Sequence, residues 1–128
     1  MTNKKKTSGA YNRLRAPTQC ALWKHPELVN GPISGPFELL ETYYKDSHFW
    51  RYLLRCRECG QRYFFEFYEE VDWVDGENPQ YSTYLPVETD AEIAKLRKTT
   101  RTDLLLFAPR LQKDFPKGAK APTLRWVR

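Results

Sequence analysis

Apolar and polar positions alternate most clearly between residues 48 and 70. His48, Trp50, Tyr52, Leu54 and Cys56 fall on one face of an extended chain, with Phe49, Arg51, Leu53 and Arg55 on the other. Beyond Gly60 the period of two resumes, with Tyr63, Phe65 and Phe67 opposed to Phe64, Glu66, Tyr68 and Glu70. Two such runs joined by the short Cys56-Arg57-Glu58-Cys59-Gly60 connection predict a long antiparallel hairpin. Asp75-Gly76-Glu77-Asn78-Pro79 reads as a turn, and Tyr81 to Val87 returns as a third strand. Pro86 lacks an amide donor and places that strand at an edge. The pattern thus predicts a three-stranded meander.

Helical signals follow it. Thr89-Asp90-Ala91-Glu92 has capping-box spacing and predicts a helix of about ten residues. Thr100-Arg101-Thr102-Asp103 repeats the pattern before Leu104-Leu105-Leu106-Phe107, and Pro109 should end this short second helix. Residues 37–44 are too few for periodicity to separate a strand from a helical turn. Asn30 to Pro36, dense in proline and glycine, is a loop inside the domain. Leu124 and Trp126 have strand spacing that could dock the tail on the core. The expected class is α+β: a small antiparallel three-stranded meander with a knuckle hairpin, then one or two short helices. Residues 1–18, polar, basic and aperiodic, read as a flexible arm, and 19–128 as a single domain.

The 128 residues, 41% hydrophobic, suffice for one core, and four Trp, eight Tyr and seven Phe suggest one built from rings. No stretch reaches the ~20 apolar residues of a membrane span, and Lys4-Lys5-Lys6 is not followed by a signal-peptide core. A soluble protein of the reducing cytoplasm is expected. Charge is segregated: residues 66–92 carry nine acidic and no basic side chains, whereas 93–128 carry ten basic and two acidic ones. These blocks either neutralise one another within the fold or present opposite faces to partners.

Three cysteines without a secretory signal argue against a disulfide framework and for a thiolate metal site. Two cysteines three apart on a tight turn supply two ligands of a zinc tetrahedron, and Gly60 can take the positive φ that folds the turn back. Cys20 and His25, at C-x4-H spacing, are the candidates for the other two, which gives Cys20, His25, Cys56 and Cys59 around a structural Zn2+. His48 competes for the fourth place, although on an extended strand it stands about 26 Å from Cys56. The C-x-x-C-G turn between strands resembles the knuckle of zinc-ribbon and rubredoxin-like proteins over residues 48–74. Here the first knuckle is not C-x-x-C, a departure from that pattern. A redox reading needs the first cysteine at a helix N-terminus, but strand-like residues flank this one.

No phosphate-cradling glycine loop, H-E-x-x-H or G-x-S-x-G is present, and a saturated structural zinc leaves no position for substrate, so catalysis is not expected. Two binding functions are. In the first, the hairpin presents Glu66, Tyr68, Glu69, Glu70, Asp72, Trp73, Asp75, Tyr81 and Tyr84 to a protein partner with a basic surface. Bacterial immunity proteins, which block a cognate toxin, offer a loose analogy. In the second, Arg51, Arg55, Arg57 and Arg62, with the basic termini, neutralise nucleic-acid phosphates while exposed rings stack on bases. Nine acids after the knuckle oppose that alternative.

Overall fold

The computed structural model describes residues 11–128 and is built on a six-stranded, wholly antiparallel sheet. In chain order the elements are β1 (Asn12–Arg13), α1 (Ala21–Lys24), a 3-10 turn (Pro26–Val29), β2 (Phe37–Lys45), β3 (Phe49–Cys56), β4 (Arg62–Glu69) and β5 (Gln80–Val87). Then come α2 (Asp90–Arg97), α3 (Arg101–Leu104), β6 (Phe107–Ala108), β7 (Arg110–Phe115) and β8 (Thr123–Val127). The sheet order is β2-β3-β4-β5-β7-β8, and β1 and β6 form a separate parallel pair.

The predicted hairpin and third strand are its middle, and the three-stranded meander is corrected to six strands. β2 joins one edge in a register broken by irregularities between Leu39 and Glu41 and between Thr42 and Tyr44. Each shift changes the phase of the side chains, so residues 37–44 show no clean alternation. β7 carries no strand signature in the sequence because Arg110, Gln112 and Asp114 hold the positions where apolar residues would mark an inward face. β5 is internal rather than an edge. Its pairing with β7 ends at Tyr84, so Pro86 lies past the last paired residue on that side.

Both faces of the sheet are covered. On the first, Tyr52, Leu54, Tyr63, Phe65, Tyr84 and Leu111 pack beneath Cys20, Leu22 and Val29 of the N-terminal segment. On the second, Leu53, Phe64, Leu85 and Val87 meet Ile93, Leu96 and Leu104 of the helices, with Phe107. Each such apolar side chain, fully buried, contributes about 1.5–3 kcal/mol of transfer free energy. α2 begins at the predicted capping box: Thr89 accepts from the Glu92 amide, and Glu92 Oε1 accepts from the Thr89 amide. α3 is shorter than expected, ending at Leu104 with Leu105 and Leu106 exposed.

Of the expected arm, residues 1–10 lie outside the described residues. The rest is docked: the Asn12 amide donates to the Leu106 carbonyl at 2.7 Å, Leu14 packs on the helical core and Pro17 is buried. No helix among the described residues is long and apolar enough to cross a membrane.

Candidate metal centre

The knuckle joins β3 to β4. The Cys56 amide donates to the Gln61 carbonyl at 2.8 Å and the Gly60 amide to the Cys56 carbonyl at 2.9 Å, closing the turn. Gly60 has φ +81°, a conformation a side chain would strain even though the space beside it is open. Cys20 arrives from the N-terminal segment, just before α1, held by the hydrogen bond its amide donates to the Pro17 carbonyl. A side-chain bond from Gln19 Nε2 to Gln61 Oε1, 2.9 Å, ties that segment to the residue after the knuckle. Gln61 is itself anchored by donation to the Val87 carbonyl and Glu88.

These constraints bring the Sγ atoms of Cys20, Cys56 and Cys59 within 4.8 Å of one another. Tetrahedral zinc with Zn–S near 2.3 Å places sulfurs about 3.8 Å apart, so the three thiols need contract by no more than about 1 Å. All three are free, Cys20 and Cys56 buried and Cys59 exposed.

The knuckle favours thiolate at Cys56. Burial there works against ionisation, but the amides of Cys59 and Glu58 and the neighbouring thiols outweigh it and lower the pKa. Burial pushes the Cys20 thiol up to about 12, with the adjacent Tyr63 hydroxyl acting in the opposite sense. That hydroxyl is buried without a hydrogen-bond partner among the described residues. Burial, then its proximity to Cys20, raises its own pKa far above the usual phenol value. An orphaned donor beside a cysteine fits a site in which Cys20 is a thiolate able to accept its proton. Donor chemistry and this hydroxyl therefore both suit a soft or borderline cation, and zinc bound here would tie the N-terminal segment to the sheet.

Neither histidine belongs to the group. His25 Nδ1 is 3.5 Å from Glu27 Oε2, on a mostly exposed side chain. The four residues of α1 separate it from Cys20, and the non-helical torsions of His25 itself carry its side chain on to Glu27 at the surface. The proposed fourth ligand is thus not brought to the thiols. His48, in the turn just before β3, is hydrogen-bonded to Glu69 at 2.8 Å. Tyr63 and Gln61 were missed by the sequence reading. Tyr63 lies on the same face of the hairpin as Cys56, and a phenol within that apolar column was the available signal.

The residues expected at a protein interface do not form one surface. Glu66 is buried, with Oε2 2.7 Å from Arg51 Nη2, and Tyr84 is buried on the opposite face of the sheet. Tyr68 and Tyr81 are half-buried and stacked at 6.3 Å. Glu69 accepts from Gln80, and Glu70 is exposed. The β4–β5 loop differs: Trp73 is 90% exposed and Val74 88%. Asp72 holds the loop beneath them, accepting from the Val74 and Asp75 amides, while Lys117 bridges Asp72 and Asp75 at 3.0 and 2.8 Å.

Among the arginines of the nucleic-acid alternative, Arg51 is buried. Arg55 pairs with Glu38 at 2.6 Å, Arg62 with Asp90 at 3.2 Å, and Arg57 donates to the Ser34 carbonyl. Protein-family models, curated proteins and solved structures offer no match to this chain, so its own residues carry the functional reading.

Proposed function

We propose that the chain is a non-catalytic, zinc-stapled protein-interaction module whose contact surface is the acidic β4–β5 loop carrying Trp73 and Val74. The observation that carries this reading is the near-complete exposure of two adjacent apolar side chains, one of them tryptophan, among Glu70, Asp72, Asp75 and Glu77. Trp is enriched among residues that dominate binding energy, and surrounding carboxylates speed encounter with a cationic surface. The partner is a protein with an apolar pocket rimmed by Lys or Arg. An inhibitor of the immunity type, plugging a basic site of a toxin, falls within this class. Asp72 and Lys117 set the loop's shape before binding, which lowers the entropy cost of association.

A photo-crosslinking residue at position 74 identifies the partner in cells, and the purified pair is then titrated. Trp73→Ala should weaken binding about 30-fold, the effect of a ~2 kcal/mol anchor, while leaving the melting temperature unchanged. An unchanged affinity, or a crosslinked species that is nucleic acid, refutes the proposal.

A further inference from the structure

The second face of the sheet is apolar only where the helices cover it. Beside that apolar area, under the helix ends, a polar row crosses five neighbouring strands, with Arg51 opposite Glu66, Glu66 opposite Thr83, Thr83 opposite Gln112 and Gln112 opposite Arg125. Glu66, Thr83 and Gln112 are each 4% exposed, in a position where sheets packed under helices ordinarily place apolar residues. Part of this polarity serves the helix ends. Arg51 donates to the Leu96, Arg97 and Thr99 carbonyls at 3.4, 3.4 and 2.7 Å, and Arg110 to those of Leu105 and Phe107 at 2.7 and 3.0 Å.

The remainder lines a cavity of about 200 Å³ between the sheet and α3. Tyr68 and Tyr81 form a stacked pair along it, and Arg101 from α3 lies over the Tyr68 ring at 3.9 Å. Arg125 lines it from β8. Neither Arg101 nor Arg125 forms an ion pair among the described residues. Glu66 receives both Arg51 contacts on Oε2, while Asp114 accepts from Gln112. Neither acid pairs with these arginines, so Arg101, lying over Tyr68, and Arg125 are two cations without a carboxylate partner among the described residues, beside an aromatic wall.

We propose that this cavity binds a small organic oxyanion, with one carboxylate or phosphate group held by Arg101 and Arg125 and its body against Tyr68 and Tyr81. Guanidinium forks match both oxyanions in geometry, and charge-assisted bonds in a half-enclosed site are stronger than in open water. The volume lies below that of drug-sized sites and limits the body to about one ring.

The full chain, labelled with 15N, is titrated with benzoate and separately with inorganic phosphate, which distinguishes the two head groups. One of them should give saturable shifts at the side-chain signals of Arg101 and Arg125 and the amides of Tyr68 and Tyr81. Arg125→Gln, at an exposed position where folding is not at risk, should weaken that binding at least fivefold, and Arg13→Gln should leave it unchanged. Linear shifts without saturation for both probes, or equal weakening by the Arg13 variant, overturn the proposal.

Discussion

Replacing Cys59 with serine separates the metal from every other contribution to stability. Its side chain is exposed, unlike those of Cys20 and Cys56, so without metal the exchange of sulfur for oxygen removes little packing. Surface changes of that kind stay within about 0.5 kcal/mol, or roughly 2 °C in melting temperature for a chain of this size. With zinc buffered at a thousand times its dissociation constant, a three-thiol site adds about 4.1 kcal/mol to the folded state. At about 4 °C per kcal/mol this raises the wild-type melting temperature by roughly 16 °C. A two-thiol site gains far less at the same zinc concentration, so the variant should lack most of that increment. Thermal denaturation of both proteins, in chelator and in buffered zinc, measures the four quantities, and elemental analysis should find about one zinc per wild-type chain. A wild-type melting temperature indifferent to zinc and chelator refutes the metal site. Equal loss in chelator and in zinc would instead make Cys59 a packing residue.

Tyr63→Phe removes a buried hydroxyl that has no hydrogen-bond partner among the described residues, so in chelator it should stabilise the protein by about 1 kcal/mol, while weakening zinc binding about tenfold; denaturant titration and competitive zinc binding measure the two effects. Arg51→Met leaves Glu66 buried without its partner and should cost about 3–5 kcal/mol; the Arg51→Met, Glu66→Met double variant should recover only the part due to Glu66, because the Leu96, Arg97 and Thr99 carbonyls still lose their donor. Burial already raises the Glu66 pKa against the opposing pull of Arg51. A carboxyl with a raised folded pKa binds more protons folded than unfolded, so the single variant's deficit should shrink as pH falls toward the unfolded value near 4.5. The Asp72 pKa is lowered, first by the Asp75 amide and then by Lys117. Its contribution to loop order is therefore present above pH 3.8 and lost as pH falls through the lower folded value, and amide exchange at Val74 and Asp75 should report that loss.

Local features are legible in the chain. Alternation over 48–70 located the central hairpin, the Thr89–Glu92 spacing located the start of α2, and C-x-x-C-G located the thiol turn, because each depends on residues near in sequence. Tertiary structure decided what those features meet. Cys20 reaches the knuckle from 36 positions away, while His25, only five residues from Cys20, is carried elsewhere by its own non-helical torsions at the end of α1. The two edge extensions of the sheet were hidden for different reasons: phase shifts scramble β2, and the inward positions of β7 are polar because they hold helix ends and line a cavity. Charge counting along the chain could not tell that Glu66 is consumed by Arg51 while Trp73 stands free among acids. Periodicity reports which side of a strand a residue occupies, but whether that side is covered is set by elements distant in sequence.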